Sequence, residues 1–212
     1  MSLVLHGYWR SGAAYRTRIA LNLKNLAYEG RTWDLRTGVQ RGDDYRALNP
    51  QGLLPALEAD GAVLTQSLAI LEYLEETHPE PPLLPRHPIA RARIRAMCAT
   101  ITSDIHPLGN LRVLTSLRKD LGADEAQVSA WIARWISAGF DALETTIALH
   151  GKGWAYGGSA TLADCCLIPQ VYGARRFEVD MTPWPRIRAV AERAAEHPAF
   201  VEAHPDNQAD AD

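Results

Sequence analysis

The sequence contains 212 residues, of which 47% are hydrophobic and 22% are charged, a composition that excludes an intrinsically disordered chain. Its formal net charge is -3, from 22 basic and 25 acidic residues, so electrostatics does not favour nucleic acid or an anionic membrane as a partner. The length allows one large domain or two smaller ones.

The first part of the chain predicts a strand, a helix and a second strand. Residues Leu3 to Tyr8 have strand composition and end at Arg10-Ser11-Gly12, a group that favours a turn. Apolar residues then recur at helical spacing, which predicts an amphipathic helix from Ala14 to Lys24. Residues Tyr28 to Leu35 supply the second strand.

The next part predicts a hairpin between two helical segments. A short helical turn is expected at Tyr45 to Leu48, and a helix from Ser67 to about Thr77. Between them, the strands Leu53 to Leu57 and Ala62 to Leu64 are joined by a turn at Asp60-Gly61. The order βαβαββα is thioredoxin-like, and it places a ligand outside the carboxyl ends of the parallel strands.

Pro55 is unusual because it lies inside an apolar run, where a proline cannot donate to a sheet ladder, so it needs a sheet edge, a bulge or a cis peptide bond. A cis bond at Leu54-Pro55 would leave the Leu54 N–H and C=O free to pair with an extended peptide. Ser67 is a good N-cap, and the N–H groups behind it would form a carboxylate site. A hairpin followed by an ordinary capped helix remains the alternative on these residues alone.

A proline-rich segment separates two regions of different periodicity. Five of the 13 prolines lie between His78 and Pro88, where they exclude helix and sheet and predict a stiff linker. Helical periodicity dominates beyond it. We therefore predict a thioredoxin-like domain at 1–80, a linker at 81–88 and an all-helical domain at 89–212.

Two long helices are predicted at the start of the helical domain. The first runs from Ile89 to about Leu121 and is interrupted at His106-Pro107, where the missing N–H should kink it. The second runs from Asp124 to His150 and carries a wide apolar stripe.

The last part of the chain predicts two shorter helices. A capping box at Thr161-Leu162-Ala163-Asp164 begins a helix that extends to about Phe177. Residues Pro185 to His197 form the last predicted helix. The acidic tail from Asp206 to Asp212 is expected to fray.

The sequence favours a cytosolic protein, because no basic segment precedes a long apolar core and no stretch approaches membrane-spanning length. Its three cysteines, Cys98 and the pair Cys165-Cys166, have neither Cys-x-x-Cys nor metal-ligand spacing, so no metal is expected. They are predicted to be buried thiols.

The stretch around Leu54-Pro55, the hairpin and Gln66-Ser67 resembles the glutathione-binding half of the thioredoxin-like domain of cytosolic glutathione transferases. In that family the residue before the cis-proline pairs with the cysteinyl backbone of glutathione, and the Gln-Ser pair holds its γ-glutamyl carboxylate. The resemblance therefore implies glutathione as cofactor. It also assigns Gln40 and His106 to the glutathione site, although His106 is equally compatible with a hydrogen-bonded residue of the domain interface.

Residues Tyr8 to Leu21 resemble the N-terminal signature of zeta-class glutathione transferases, which include maleylacetoacetate and maleylpyruvate isomerases. Members usually carry Arg-Ser-Ser-Cys-Ser, but here Gly12, Ala13 and Ala14 replace the second Ser, the Cys and the third Ser. The change removes the thiol of this loop and leaves Ser11 as its hydroxyl. The Arg-Ser-Gly version is more similar to the bacterial maleylpyruvate isomerases.

Ser11 is the predicted catalytic hydroxyl. A thiol with a pKa of about 8.5 is only about 3% thiolate at pH 7, and lowering that pKa by about two units costs about 2.7 kcal/mol. A charge-assisted hydrogen bond contributes about 1.5–3 kcal/mol and a helix N-terminus about 0.3–1 kcal/mol more. Ser11 at the start of the first helix could supply both, although helix capping alone is the alternative.

Arginines are suited to a dianionic substrate, because a guanidinium binds a carboxylate bidentately. Arg10, Arg112 and the pair Arg175-Arg176 stand out by position, although a solvated surface role is possible for any one of them. The resemblance assigns a catalytic role to Arg10 and substrate binding to four residues: Arg10, Asn110, Arg112 and Arg176. Two further arginines, Arg16 and Arg18, are predicted to be structural and to lie on the outer face of the first helix.

Together the residues and the resemblance predict a cytosolic, homodimeric, glutathione-dependent cis–trans isomerase. Its substrate would be a small dianionic maleyl diketo acid, maleylpyruvate or maleylacetoacetate, converted to the fumaryl isomer in aromatic catabolism. The implied reaction adds a thiolate to the double bond, allows rotation and then eliminates the thiolate. A transferase that conjugates or dehalogenates small electrophiles and a non-catalytic interaction protein remain the alternatives.

Overall fold

The computed structural model describes residues 3–212, and it divides the chain into two units. The first unit combines Met1–Leu83 with Ala194–Asp212, and the second comprises Leu84–Arg193. The predicted helical domain extended to residue 212, whereas the structure groups its last segment with the N-terminal part. Residues 1 and 2 of the predicted first domain lie outside the described residues.

The first unit is built on a mixed four-stranded sheet. Its strands are β1 Leu3–Gly7, β2 Tyr28–Thr32, β3 Ala56–Ala59 and β4 Ala62–Thr65. The strands lie in the order β2-β1-β3-β4, with β1 and β2 parallel and the other neighbours antiparallel.

The helices complete the predicted βαβαββα order and then continue as an all-helical region. The α-helices are α1 Gly12–Leu23, α2 Asp43–Leu48, α3 Ser67–Thr77, α4 Pro88–Ala99, α5 Leu111–Lys119, α6 Glu125–His150, α7 Leu162–Arg176, α8 Pro185–Ala195 and α9 Pro198–Ala203. Shorter turns are the 3₁₀ helices Val39–Arg41, His106–Gly109 and Pro205–Asn207 and the π-helical turn Thr100–Ile105. The predicted thioredoxin-like fold is confirmed, and α4 begins at Pro88, the last residue of the predicted linker.

β2 and β3 differ most from the predicted strands, while β1 ends one residue earlier than predicted. β2 ends at Thr32 because the chain turns at once, and the Thr37 N–H bonds to the Asp34 C=O. β3 begins only at Ala56, because the Leu53 C=O is taken by two side chains, the hydroxyl of Tyr45 and the amide of Asn49.

α1 is buried on more than one side, since it packs against α3 and also against α9. Arg16 and Arg18 are consequently only 2% and 4% exposed, so the prediction that they lie on an outer face is wrong. The sequence analysis did not predict α9. It therefore assigned to solvent the face of α1 that α9 covers.

The predicted long helix from Ile89 to Leu121 is broken, not merely kinked. Its first part, α4, passes into the π-helical turn, where the His106 N–H bonds to the Ile101 C=O five residues back. Pro107 then provides no N–H, and the Asn110 side chain starts α5 by accepting the Arg112 N–H at 3.1 Å. The carboxamide cap makes α5 a separate helix.

α6 and α7 begin with capping boxes, formed by Asp124 with Gln127 and by Thr161 with Asp164. The second of these was predicted. All three cysteine side chains are buried, as predicted. No helix within residues 3–212 has the length and apolar character needed to cross a bilayer.

The tail predicted to fray is held in place by other residues of the first unit. Trp9 donates its main-chain N–H to the Asp210 carboxylate at 3.0 Å, and Arg36 forms an ion pair with Asp212. The composition of the tail indicated mobility, but specific partners far away in sequence hold it in place.

Candidate active site

The sheet register brings three separate segments to one end of the sheet. His6 of β1 pairs with Ala56 of β3, and Ala56 also pairs with Thr65 of β4. Since these residues form one row across three strands, the loop after β1, the residues before β3 and the residues after β4 lie at the same end. The predicted glutathione-site residues of this unit lie on these segments or, in one case, beside them.

Ser11 is the N-cap of α1. Its side-chain Oγ accepts the Ala14 N–H at 3.3 Å, which establishes the capping role that the sequence left open. The cap uses a lone pair of Oγ, so the hydroxyl proton is not consumed and can be donated to an anion beyond the helix end. Capping and thiolate stabilisation are therefore compatible.

The peptide bond between Leu54 and Pro55 is cis, as predicted. Both residues precede β3, and within residues 3–212 the Leu54 N–H and C=O make no backbone hydrogen bond. An extended peptide that runs along this segment would find one donor and one acceptor available to it.

Gln66 and Ser67 mark the start of α3, but their roles differ from the prediction. Gln66 occupies the N-cap position, with a φ of 67° and a ψ of 112°, and its side-chain amide donates to Gln51 at 2.7 Å. Ser67 is the first helical residue, so its assignment as the N-cap is wrong. A non-glycine residue held at positive φ is often found at a functional site.

The hydroxyl of Ser67 is buried and has a charged neighbour. Its Oγ accepts a hydrogen bond of 3.2 Å from Nη1 of Arg16, which reaches across from α1. The Ser67 proton is thereby left for another acceptor, and the helix dipole favours an anion at this N-terminal end of α3. Arg16 is a candidate site residue that the sequence analysis missed, because its hydrogen bond joins two helices that lie far apart in sequence.

Gln40 lies in the 3₁₀ turn that follows Gly38, and its side chain is buried. Its Oε1 has no hydrogen-bond partner among the described residues. The Gln40 main chain lies against Gly52, where an added Cβ would come within 2.9 Å of the Gln40 carbonyl oxygen. A buried amide oxygen without a partner is suited to receive an N–H donor from a ligand.

Arg10 directly precedes the Ser11 cap in the first unit, and its guanidinium lies 5.1 Å from the ring centroid of Trp9. Cation–π contact of this kind orients a guanidinium while leaving its N–H edge able to bind a carboxylate.

The second unit holds the remaining predicted site residues. His106 begins the 3₁₀ turn that follows the π-helical turn. Asn110 caps α5 through Oδ1, which leaves its amide hydrogens for other acceptors, and the exposed Arg112 lies in the first turn behind it. Arg176 is the exposed last residue of α7, with its guanidinium 4.6 Å from the centroid of Phe177. The break at Pro107 thus places Asn110 and Arg112 at the N-terminal end of α5.

Comparison with known proteins decides the family. Residues 10–77 match the family described as glutathione S-transferase, N-terminal domain. A maleylpyruvate isomerase from Ralstonia sp is 50% identical over 208 residues, which cover 97% of this chain and 98% of that protein. The holo structure of a maleylpyruvate isomerase, a bacterial zeta-class glutathione S-transferase, matches with a TM-score of 0.97 and 49% identity, covering 99% of this chain and 100% of that one. The chain belongs to the zeta-class glutathione transferase family.

A second solved structure of this zeta-class family shows what a relative binds. The maleylacetoacetate isomerase from Anaeromyxobacter dehalogenans 2CP-1 has a TM-score of 0.89 and 42% identity, and the match covers 100% of this chain and 94% of that one. It holds dicarboxyethyl glutathione and citrate in its active site. The cytosolic glutathione transferase fold and the family resemblance expected from the sequence are thus confirmed.

Proposed function

We propose that this zeta-class transferase is a glutathione-dependent cis–trans isomerase that converts a maleyl diketo acid to its fumaryl isomer in aromatic catabolism. The proposal rests above all on full-length similarity to an isomerase of the same length, at 50% identity. Its substrate would be a small dianion such as maleylpyruvate or maleylacetoacetate. A relative that binds dicarboxyethyl glutathione accommodates glutathione and two carboxyl groups together, which supports this substrate class.

The first unit fits glutathione as a cofactor. The Leu54 main chain would pair with the cysteinyl part, and Pro55 would shape that segment. Gln66 and the Ser67 hydroxyl would hold the γ-glutamyl carboxylate at the start of α3. The unpartnered Oε1 of Gln40 would accept an N–H of the tripeptide. His106 stays a proposed glutathione ligand, on the family resemblance alone.

When bound, glutathione would supply a thiolate that adds to the maleyl double bond, permits rotation and leaves again. The chain would contribute a hydroxyl, an orienting helix end and cations. Ser11 would donate its proton to the sulfur while its lone pair remains on the Ala14 N–H. Arg10, at the same helix end, would bind a substrate carboxylate close to that sulfur.

Replacing Ser11 with alanine should raise the pKa of the bound glutathione thiol by one unit or more, since a charge-assisted hydrogen bond of about 1.4 kcal/mol would be lost. An ultraviolet titration of thiolate formation in the binary complex measures this shift. Ser11→Thr keeps the hydroxyl and should stay close to the wild type. An unchanged pKa in Ser11→Ala would confine the residue to helix capping.

Substrate specificity would depend on Arg10, Arg112 and Arg176, with Asn110 as a further hydrogen-bond donor. If each arginine makes one charge-assisted carboxylate contact, each replacement by alanine should lower kcat/KM for the maleyl substrate by roughly 10- to 150-fold. Conjugation of a neutral chloronitrobenzene should hardly change, because that electrophile has no carboxylate. Arg175→Ala is the matched control for Arg176→Ala, since both residues are exposed at the end of α7.

One assay separates this proposal from a conjugating or dehalogenating transferase. The protein is mixed with glutathione and maleylpyruvate or maleylacetoacetate, and the enol absorbance and the glutathione concentration are followed together. Isomerisation leaves the glutathione concentration constant, whereas conjugation consumes it. In the arginine variants, an equal loss of activity towards the maleyl substrate and towards chloronitrobenzene would mean that the arginines do not bind a substrate carboxylate. The argument for an isomerase from the substrate site would then be lost.

We also propose that the protein is a cytosolic homodimer. Buried cysteines are compatible with a reducing compartment, and homodimers are usual in the family. Sedimentation velocity tests the oligomeric state.

A further inference from the structure

The loop that carries Arg10 and Ser11 is a tight turn with an unusual anchor. The Ser11 N–H bonds to the Tyr8 C=O at 2.9 Å, which makes Trp9 and Arg10 the central residues of a four-residue turn. Such a turn leaves the N–H of its second residue without an internal partner. Here that N–H, from Trp9, donates to Oδ2 of Asp210 at 3.0 Å.

The other polar group of the Trp9 main chain is held as well. Nη2 of Arg18 donates to the Trp9 C=O at 2.9 Å, while Nε of the same guanidinium donates to the Ala203 C=O at 2.9 Å. One buried arginine therefore joins the turn to the end of α9. The Asn22 side chain adds a hydrogen bond to the Ala199 C=O at 3.1 Å, so α9 is docked on α1 at two points.

A third contact lies at the surface. Arg36 pairs with Asp34 at 2.8 Å and also with Asp212, and its guanidinium is 5.8 Å from the ring centroid of Tyr8. These charges are exposed, and exposed pairs contribute little. Asp210 is different, because it satisfies a main-chain donor inside the turn itself.

We propose that Asp210 is a positioning residue for the active site, acting through the Trp9 peptide on Arg10 and Ser11. With the Trp9 N–H and C=O both bound, only a few backbone torsions separate this anchored peptide from the Arg10 side chain and from Oγ of Ser11. Asp210 thereby acts on the catalytic turn, although it lies about two hundred residues from that turn in sequence. The inference rests on the proposed function for the chemical roles of Arg10 and Ser11.

The anchor should influence turnover more than folding. Asp210→Ala removes one partly buried hydrogen bond, whereas α9 keeps its contacts through Arg18 and Asn22. Misplacement of a catalytic group by about 1 Å can cost on the order of 10²-fold in rate. A turn that has lost one of two anchors should therefore lower kcat measurably. The affinity for glutathione should change less, because most of its proposed contacts lie before β3 and at the start of α3.

The experiment compares Asp210→Ala, Asp210→Asn and Asp206→Ala in the full-length protein. We expect Asp210→Ala to lower kcat about tenfold and to raise the pKa of bound glutathione, with its Kd changed less than about twofold. Asp210→Asn keeps an acceptor oxygen and should recover most of the activity. Asp206→Ala removes a charge from the same tail without touching the turn, and should match the wild type.

Two outcomes overturn the inference. Wild-type kcat and thiolate pKa in Asp210→Ala would show that the anchor is dispensable. Losses of glutathione affinity and melting temperature in proportion to kcat, without recovery in Asp210→Asn, would show a general structural defect. Amide hydrogen exchange of residues 9–14 and the thiolate titration need no maleyl substrate, so they test Asp210 even if the wild type proves not to be an isomerase.

Discussion

Replacing Lys24 with methionine is expected to lower the free energy of unfolding by about 3–5 kcal/mol, since breaking a buried ion pair strands the remaining charge. Nζ of Lys24 lies 2.8 Å from Oε2 of Glu75, and the two side chains are 0% and 6% exposed. The same ammonium also donates to the carbonyl oxygens of His78 and Pro81. Lys24 thus joins α1 to α3 and to the proline-rich segment behind it.

Urea unfolding at neutral pH measures this loss. Glu75 also accepts the Leu83 N–H at 2.9 Å, so the informative second change is Glu75→Gln, which keeps an acceptor and removes the charge. The double variant Lys24→Met/Glu75→Gln should be more stable than Lys24→Met alone.

The control is a pair of the same kind at the surface. Arg118 and Glu125 are 38% and 77% exposed, and Arg118→Met should cost far less stability than Lys24→Met, because solvent screens an exposed pair. If Lys24→Met proved equally mild, the Lys24–Glu75 pair would not be an energetic anchor of the first unit.

Replacing Asp164 with alanine is the second large effect, with an expected loss of about 2–6 kcal/mol from two buried amides left without an acceptor. The Asp164 carboxylate accepts the N–H groups of Ala155 and Thr161, each at 2.8 Å, and the Thr161 hydroxyl at 3.0 Å. It therefore holds the loop before α7 as well as the capping box. Asp164→Asn keeps one acceptor oxygen and should lose less.

Asp164 also predicts a pH dependence. Burial raises the pKa of its carboxyl from 3.8 to about 6, although the hydrogen bonds from Ala155 and Thr161 oppose this shift. Because the folded state then holds the proton more tightly than the unfolded state, the contribution of Asp164 to stability declines as the pH rises from about 4 to about 6 and is constant above that range.

The difference in unfolding free energy between the wild type and Asp164→Ala isolates this group from the other carboxylates. That difference should shrink by roughly 2 kcal/mol between pH 4 and pH 7, because the unfolded carboxyl is already largely ionised at pH 4. A difference that grows with pH would mean that the hydrogen bonds outweigh burial and hold the pKa below its ordinary value.

Several features of the fold followed from local chemistry. The capping box at Thr161 and Asp164 is a contact between residues three apart, so its spacing alone predicted the start of α7. Pro55 inside an apolar run left a sheet edge, a bulge or a cis bond as the possibilities, and the cis bond, which was the hypothesis, is the one observed. Ser11 and Ser67 were also recognised by position, at the points where a turn or a strand gives way to a helix.

Local chemistry was less reliable where two roles compete for one residue. Ser67 has the composition of an N-cap, yet Gln66 occupies that position at positive φ, and Ser67 instead accepts a hydrogen bond from Arg16. Pro107 predicted a kink, but the Asn110 side chain accepts the Arg112 N–H and so begins a new helix after the break. In both cases a side chain offered a partner that periodicity does not encode.

The sequence by itself determined the order of strands and helices, the cis-proline segment and the hydroxyl groups of the candidate site, because these depend on neighbours within a few residues. Only the tertiary structure decided that Arg16 and Arg18 are buried, that α9 is docked on α1 and that the tail after α9 contacts Trp9 and Arg36. Those facts depend on contacts such as Arg18 with Ala203 and Trp9 with Asp210, which join distant parts of the chain. These contacts stabilise the protein only after folding has brought both partners together. The residues around either partner in the sequence therefore do not predict them.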